Sequence, residues 1–180
     1  MVIKKLKKEM LMKILKITPA EEYSLIGKMI DYAIDHGLGV NWVSEDSSRA
    51  NPIHLVKIFN TAIEHKAKRI VITDTVGVLN PLSMRYLVNM VKEKVLKKHP
   101  KVGLGVHTHN DFGLAVANTI EAVFLGAKYP HTCVNGYGER AGNAPLEEVV
   151  VGAYCLLGLK STVKMSKIYE VSRLVSSPVA

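Results

Sequence analysis

Cysteine is nearly missing: Cys133 and Cys155 are the two in 180 residues. Two thiols build neither a disulfide framework nor a zinc ribbon, so a reducing, cytoplasmic setting is the expectation. No apolar run reaches the roughly 18 residues of a membrane span, and lysines break the apolar stretch near the N-terminus, so no secretory signal is evident. Nor is there the skewed composition of a disordered chain. With 48% apolar and 22% charged residues, the chain is near the globular average and has one domain's length.

A basic face is missing as well, despite a net charge of +8. Six lysines against Glu9 put +5 of it within the first 16 residues, leaving +3 for the rest. The excess belongs to a local segment, so no nucleic-acid or membrane partner is expected. That segment, residues 1–17, sets Ile3, Leu6, Met10, Ile14 and Ile17 at helical spacing between lysines and reads as a basic amphipathic helix.

Beyond it a pattern repeats. Thr18-Pro19-Ala20-Glu21 is a helix start with a capping box. Leu25, Ile26, Met29, Ile30, Ala33 and Ile34 form its apolar stripe, and Gly37 ends it. Strands are expected at Val40–Ser44, Arg69–Thr73, Val102–Val106 and His131–Val134. Helices are expected over His54–Glu64, from Asn80-Pro81 through Val95, over Asp111–Leu125, from Ala144-Pro145 to Leu157, and over Met165–Val175. Strand starts about 30 residues apart mark βαβ units and a parallel sheet. Four such units make half of an eight-stranded barrel or a complete open sheet, and spacing leaves both readings open.

Polar residues gather after each strand's C-terminal end: Glu45-Asp46 with Arg49, Asp74-Thr75, His107 to Asp111, and Asn135 to Asn143. Parallel α/β folds build their sites on that edge. His107 and His109, two apart on an extended segment, point to one face and offer two imidazoles to a divalent ion. The plainer alternative is a hydrogen-bonded pair at a strand end. Asn110 and Asp111 serve as supporting partners or as the cap of the next helix, with capping expected of Asp111. The glycine-rich loop 135–143 is an ordinary connection, a site, or a phosphate cradle without the Lys-Ser/Thr of a P-loop. Thr75 offers a hydroxyl to an anionic substrate group, or it joins Asp74 in satisfying loop backbone. Cys133 reads as a buried, inert thiol in an apolar strand. Surface roles suffice for His36, His54, His65 and His99.

These motifs carry a resemblance. LGVHTHNDFGLAVA at 104–117, NGYGERAGNAPLEEVV at 135–150, ITDTVG at 72–77 and SEDSSR at 44–49 resemble, in order, the 2-isopropylmalate synthase and homocitrate synthase family. The paired histidines are shared with 3-hydroxy-3-methylglutaryl-CoA lyase. The resemblance implies a TIM (β/α)8 barrel with one divalent metal (zinc, manganese or magnesium) held by His107 and His109 with Asn143 at or near it. It implies that Thr75 binds the carboxylate of a 2-oxo acid. It also implies that acetyl-CoA condenses with that acid in a metal-assisted Claisen reaction, the acyl transfer of leucine biosynthesis.

One family feature is absent. No Arg-Asp-Gly motif, which in the family supplies the enolate-stabilising arginine and the third metal ligand, occurs in these 180 residues. The catalytic residues are therefore unknown, and the expected fold is a partial TIM barrel. Residues 18–180 would give about four parallel strands with flanking helices, equivalent to strands five to eight. Such a half-barrel leaves two open edges, so a homo-oligomer or a complementary N-terminal half-barrel is the expected partner. Asn41-Trp42-Val43 lacks the arginine that homocitrate enzymes tend to present there, which favours an apolar acid such as 2-oxoisovalerate. Homocitrate or pyruvate-using citramalate chemistry, a related acyl-CoA lyase, a split-enzyme half, or a non-catalytic fragment stay open.

Overall fold

The computed structural model describes residues 17–176; apart from Ile17, the N-terminal amphipathic segment lies outside them. Helix α1 (Pro19–Asp35) starts as its sequence dictates: Thr18 Oγ1 accepts from the Glu21 amide, and Glu21 Oε2 accepts from the Thr18 amide at 2.6 Å. Its buried face runs through Glu22, Ile26, Gly27, Ile30 and Ala33. Leu25, expected on that stripe, is 47% exposed, because Glu22 takes the inward position. Glu22 is buried against His54, with Oε2 and Nε2 3.0 Å apart, and Tyr23 Oη lies 2.6 Å from His54 Nδ1. His54 is thus a packed partner of α1 and not a surface histidine.

Strand β1 (Asn41–Ser44) leads to α2 (Pro52–Glu64), which begins two residues earlier than expected because the Asn51 side chain caps Ile53 and His54. Strand β2 (Arg69–Asp74) is followed by α3 (Pro81–Val91), extended by a π-helical turn over Lys92–Leu96. Then come β3 (Gly103–Thr108), α4 (Ala115–Phe124), β4 (Tyr129–His131), α5 (Leu146–Leu157) and α6 (Ile168–Ser176). Two expectations shift. Helix α4 starts at Ala115 and not Asp111, since Asn110 Oδ1 accepts from the Ala115 amide at 3.1 Å and Gly113 turns left-handed (φ +72°). Strand β4 precedes Cys133, which is half-buried in the following loop.

All neighbouring strands are parallel, in the order β1-β2-β3-β4. An open doubly wound sheet reverses its strand order at a switch point; these four strands run in sequence, as in a barrel. One sheet face, with Trp42, Ile70, Ile72, Leu104 and Val106, packs on Ile30, Leu55, Phe59, Met84 and Val88 of the helices. Trp42, fully buried, satisfies its indole N–H on Ser44 Oγ at 2.8 Å. Alternation turns Val43, Val71, Thr73, Gly105 and His107 to the opposite face. The architecture is a partial TIM barrel, and that second face is the barrel interior.

Candidate metal and oxo-acid site

The top row of the interior is set by register. Thr73 on β2 pairs with His107 on β3, and His107 pairs with His131 on β4. Thr108 turns the other way and is held on α4, with its hydroxyl 2.8 Å from Thr119 Oγ1. His109 follows on the interior side. Its Nε2 lies 3.3 Å from His107 Nε2, and the Asn143 amide nitrogen lies 3.3 Å from both His107 Nε2 and His109 Nδ1. His109 and Asn143 are buried.

Backbone bonds bring Asn143 there. His109 and Asn143 form an isolated bridge, the Asn110 amide donates to the Gly142 carbonyl at 3.0 Å, and the Asn143 amide donates to Gly136 at 2.9 Å. Gly142 sits at φ +85°, where a side chain would collide with the Gly136 carbonyl oxygen.

A single arginine ties three loops together. Arg140 Nε and Nη2 donate to Asp111 Oδ1 and Oδ2 at 2.7 and 2.9 Å, and Nη2 also donates to the Thr75 carbonyl at 2.6 Å. The bidentate bond holds the Asp111 carboxyl below the usual carboxylate range and raises Arg140. Gly77 (φ +62°) lets the loops close, since a Cβ there would strike Asp111. Asp111 is therefore a clamp partner and not a cap; the first amide of α4, on Ala115, donates to Asn110 Oδ1 instead. Thr75 Oγ1 accepts from the Asp46 amide at 2.7 Å, which leaves its proton to donate. Asp74 is structural: it is buried and accepts from Val78 and Leu79 amides. Asp46 is likewise engaged, by Arg49 at 2.8 Å. Asn135 is drawn away from the histidines and binds Ser172 on α6.

A cavity of about 270 Å³ opens among Thr75, His107, His109, His131 and two carboxylates, Glu45 and Glu139, with Val43 as an apolar wall. His131 is the residue that sequence reasoning missed. Its ring is 5.6 Å from that of His107, centroid to centroid. Atoms crowding the ring displace water, and the Arg69 charge adds to this; both hold its pKa below the ordinary histidine value. With β4 beginning at Tyr129, register with β3 brings His131 opposite His107.

Donor chemistry gives a partial fit to a divalent ion. Two ligands at about 2.1 Å from one ion sit about 3.0–3.4 Å apart, and the two imidazole nitrogens are 3.3 Å apart. Among the described residues no group of three His, Cys, Asp or Glu side chains is spaced to hold one ion; the carboxylates that share the cavity with the pair are Glu45 and Glu139. The Asn143 amide oxygen faces Cys133 Sγ at 3.8 Å, with the nitrogen toward the rings.

Known proteins place this geometry in context. The chain is 47% identical over 162 residues to 2-isopropylmalate synthase of Sulfurisphaera tokodaii, a match covering 90% of the chain and 41% of that protein. It is 46% identical over 149 residues to (R)-citramalate synthase CimA of Methanocaldococcus jannaschii, covering 83% of the chain and 29% of the relative. The chain thus spans less than half the length of these curated relatives. Among solved structures, HMG-CoA lyase of Bacillus subtilis superposes with a TM-score of 0.79 at 17% identity, covering 97% of this chain and 60% of that one; at that identity the likeness is one of fold. The HMGL-like family profile matches residues 7–175, more than nine-tenths of the 180-residue chain, and the chain belongs to the HMGL-like family.

Proposed function

We propose that this chain supplies the metal- and oxo-acid-binding half of an acyltransferase of the 2-isopropylmalate synthase type, condensing acetyl-CoA with a 2-oxo acid. The observation carrying this reading is that His107 and His109 share one cavity with Thr75, their ring nitrogens 3.3 Å apart and each 3.3 Å from the Asn143 amide nitrogen. His107 and His109 would hold a zinc, manganese or magnesium ion, and Asn143 would join them after a half-turn of its amide. A bound divalent ion supplies Lewis-acid polarisation of the keto carbonyl. Thr75 donates its hydroxyl proton to the substrate carboxylate. Arg140 fixes the Thr75, Asp111 and Asn143 loops so that these donors keep their spacing. Glu45 and Glu139 are the carboxylates lining the cavity that can accept a proton.

The apolar Val43 wall favours 2-oxoisovalerate, with pyruvate next; names of both synthase types recur among the relatives. Turnover is proposed for this chain joined to a half that carries the Arg-Asp-Gly strand, in a cytoplasmic setting. The test follows coenzyme A release from acetyl-CoA with 2-oxoisovalerate, pyruvate or 2-oxoglutarate, using the chain alone and with such a half supplied. Release that requires both halves and is fastest with 2-oxoisovalerate supports the reading. A folded assembly that releases none rejects it in favour of a non-catalytic fragment.

A further inference from the structure

The opposite rim of the sheet carries different chemistry. The loops entering β2, β3 and β4 enclose a recess of about 700 Å³. Five cations line it: Lys66, Lys68 and Arg69 before and at the start of β2, Lys101 before β3, and Lys128 before β4. No carboxylate is among its described lining residues. None of the five cations forms an ion pair with a described carboxylate, whereas Arg49, Arg85 and Arg140 each grip one. Residues 17–180 carry a net charge of only +3, so five uncompensated charges in one hollow are a concentration, not a background.

Arg69 is built into the recess. Its guanidinium carbon lies 3.9 Å from the centroid of the Tyr129 ring. Gly103, its register partner on β3, clears the way: a Cβ there would run into the Tyr129 ring. A guanidinium stacked by its face keeps its N–H edges for a planar oxyanion. Lysines on three successive loops add point charges around it. Such a half-buried cation without a counter-charge, among like charges, is relieved by an anion.

We propose that this recess binds a small anion bearing several phosphate groups, with Arg69 as the planar clamp and the lysines as the surrounding charges. The hollow falls within the size range of small-ligand sites. It lies at the rim away from His107 and is independent of the condensation reading.

Sodium tripolyphosphate titrated calorimetrically into the metal-free full chain tests it. One-to-one binding is expected, weakening as salt rises. Affinity should fall about tenfold or more in Arg69→Gln and in the Lys68→Gln/Lys128→Gln pair, and stay unchanged in His107→Ala. Lys68 and Lys128 are exposed, so their variant reports on charge even if Arg69→Gln misfolds. Absence of binding, or equal affinity in the lysine-pair variant, overturns the proposal. Citrate binding as tightly as tripolyphosphate overturns the assignment to phosphate, and tighter binding of a DNA duplex overturns the small-anion assignment.

Discussion

His107 and His109 are the residues whose chemistry is most exposed to test. With their nitrogens 3.3 Å apart, removal of either ring leaves one imidazole and an amide. His107→Ala or His109→Ala is expected to weaken cobalt(II) binding by about 100-fold or more, read from the visible spectrum of the ion. Arg140 acts at one remove. Arg140→Ala frees both Asp111 oxygens and the Thr75 carbonyl, and should loosen cobalt binding by about tenfold. Arg140→Lys, which cannot span the carboxylate in two places, should recover only part. Thermal melting separates this effect from unfolding. Alternation alone placed 107 and 109 on one face, so the pair was legible in the sequence. The clamp was not, because Asp111 and Arg140 are 29 positions apart and meet only when two strand-end loops are folded side by side.

Helix starts and strand ends show where local signals suffice. Thr18, Pro19 and Glu21 specify the start of α1 without outside help, and the structure forms the predicted capping box. Thr18→Ala should cost about 1 kcal/mol of stability in urea unfolding. Glu21 bonds the Thr18 amide and hydroxyl, which lowers its pKa. A depressed carboxyl contributes stability above its unfolded pKa and loses it as pH falls through the folded value. The Glu21→Gln penalty should therefore be full at neutral pH and fade below about pH 4. Tertiary burial is less legible. His54 reads as a surface residue, yet its Nε2 lies 3.0 Å from Glu22 Oε2 on the neighbouring helix, out of solvent. Nothing in either helix's own periodicity marks them as partners. His54→Ala strands the carboxylate and should cost on the order of 3 kcal/mol, with part regained in Glu22→Gln/His54→Ala. The sequence signal sets β4 two residues too late, because apolar Cys133-Val134 outweighs Tyr129-Pro130-His131 as a strand pattern. Pairing with β3 decided the matter, through register with Gly105, Val106 and His107.

Across the whole molecule, the period of about 30 residues conveyed the βαβ plan, while the choice between barrel and open sheet needed the observed strand order. Among the described strands, β1 and β4 each have one paired side. Exposed backbone edges seek partners. The 180-residue chain by itself is expected to sediment as an oligomer, and a complementary half-barrel should convert it to a one-to-one complex in analytical ultracentrifugation. A lone monomer unaffected by that half would contradict this. Strand β3 joins the two rims: Gly103 borders the basic recess and His107 the cavity above, about 13 Å apart along an extended backbone. Because that span is stiff hydrogen-bonded ladder, occupants of the two ends never touch; the Arg69 charge that reaches His131 links them electrostatically, so excess polyphosphate should shift a metal titration by less than about tenfold, once the metal it sequesters in solution is subtracted.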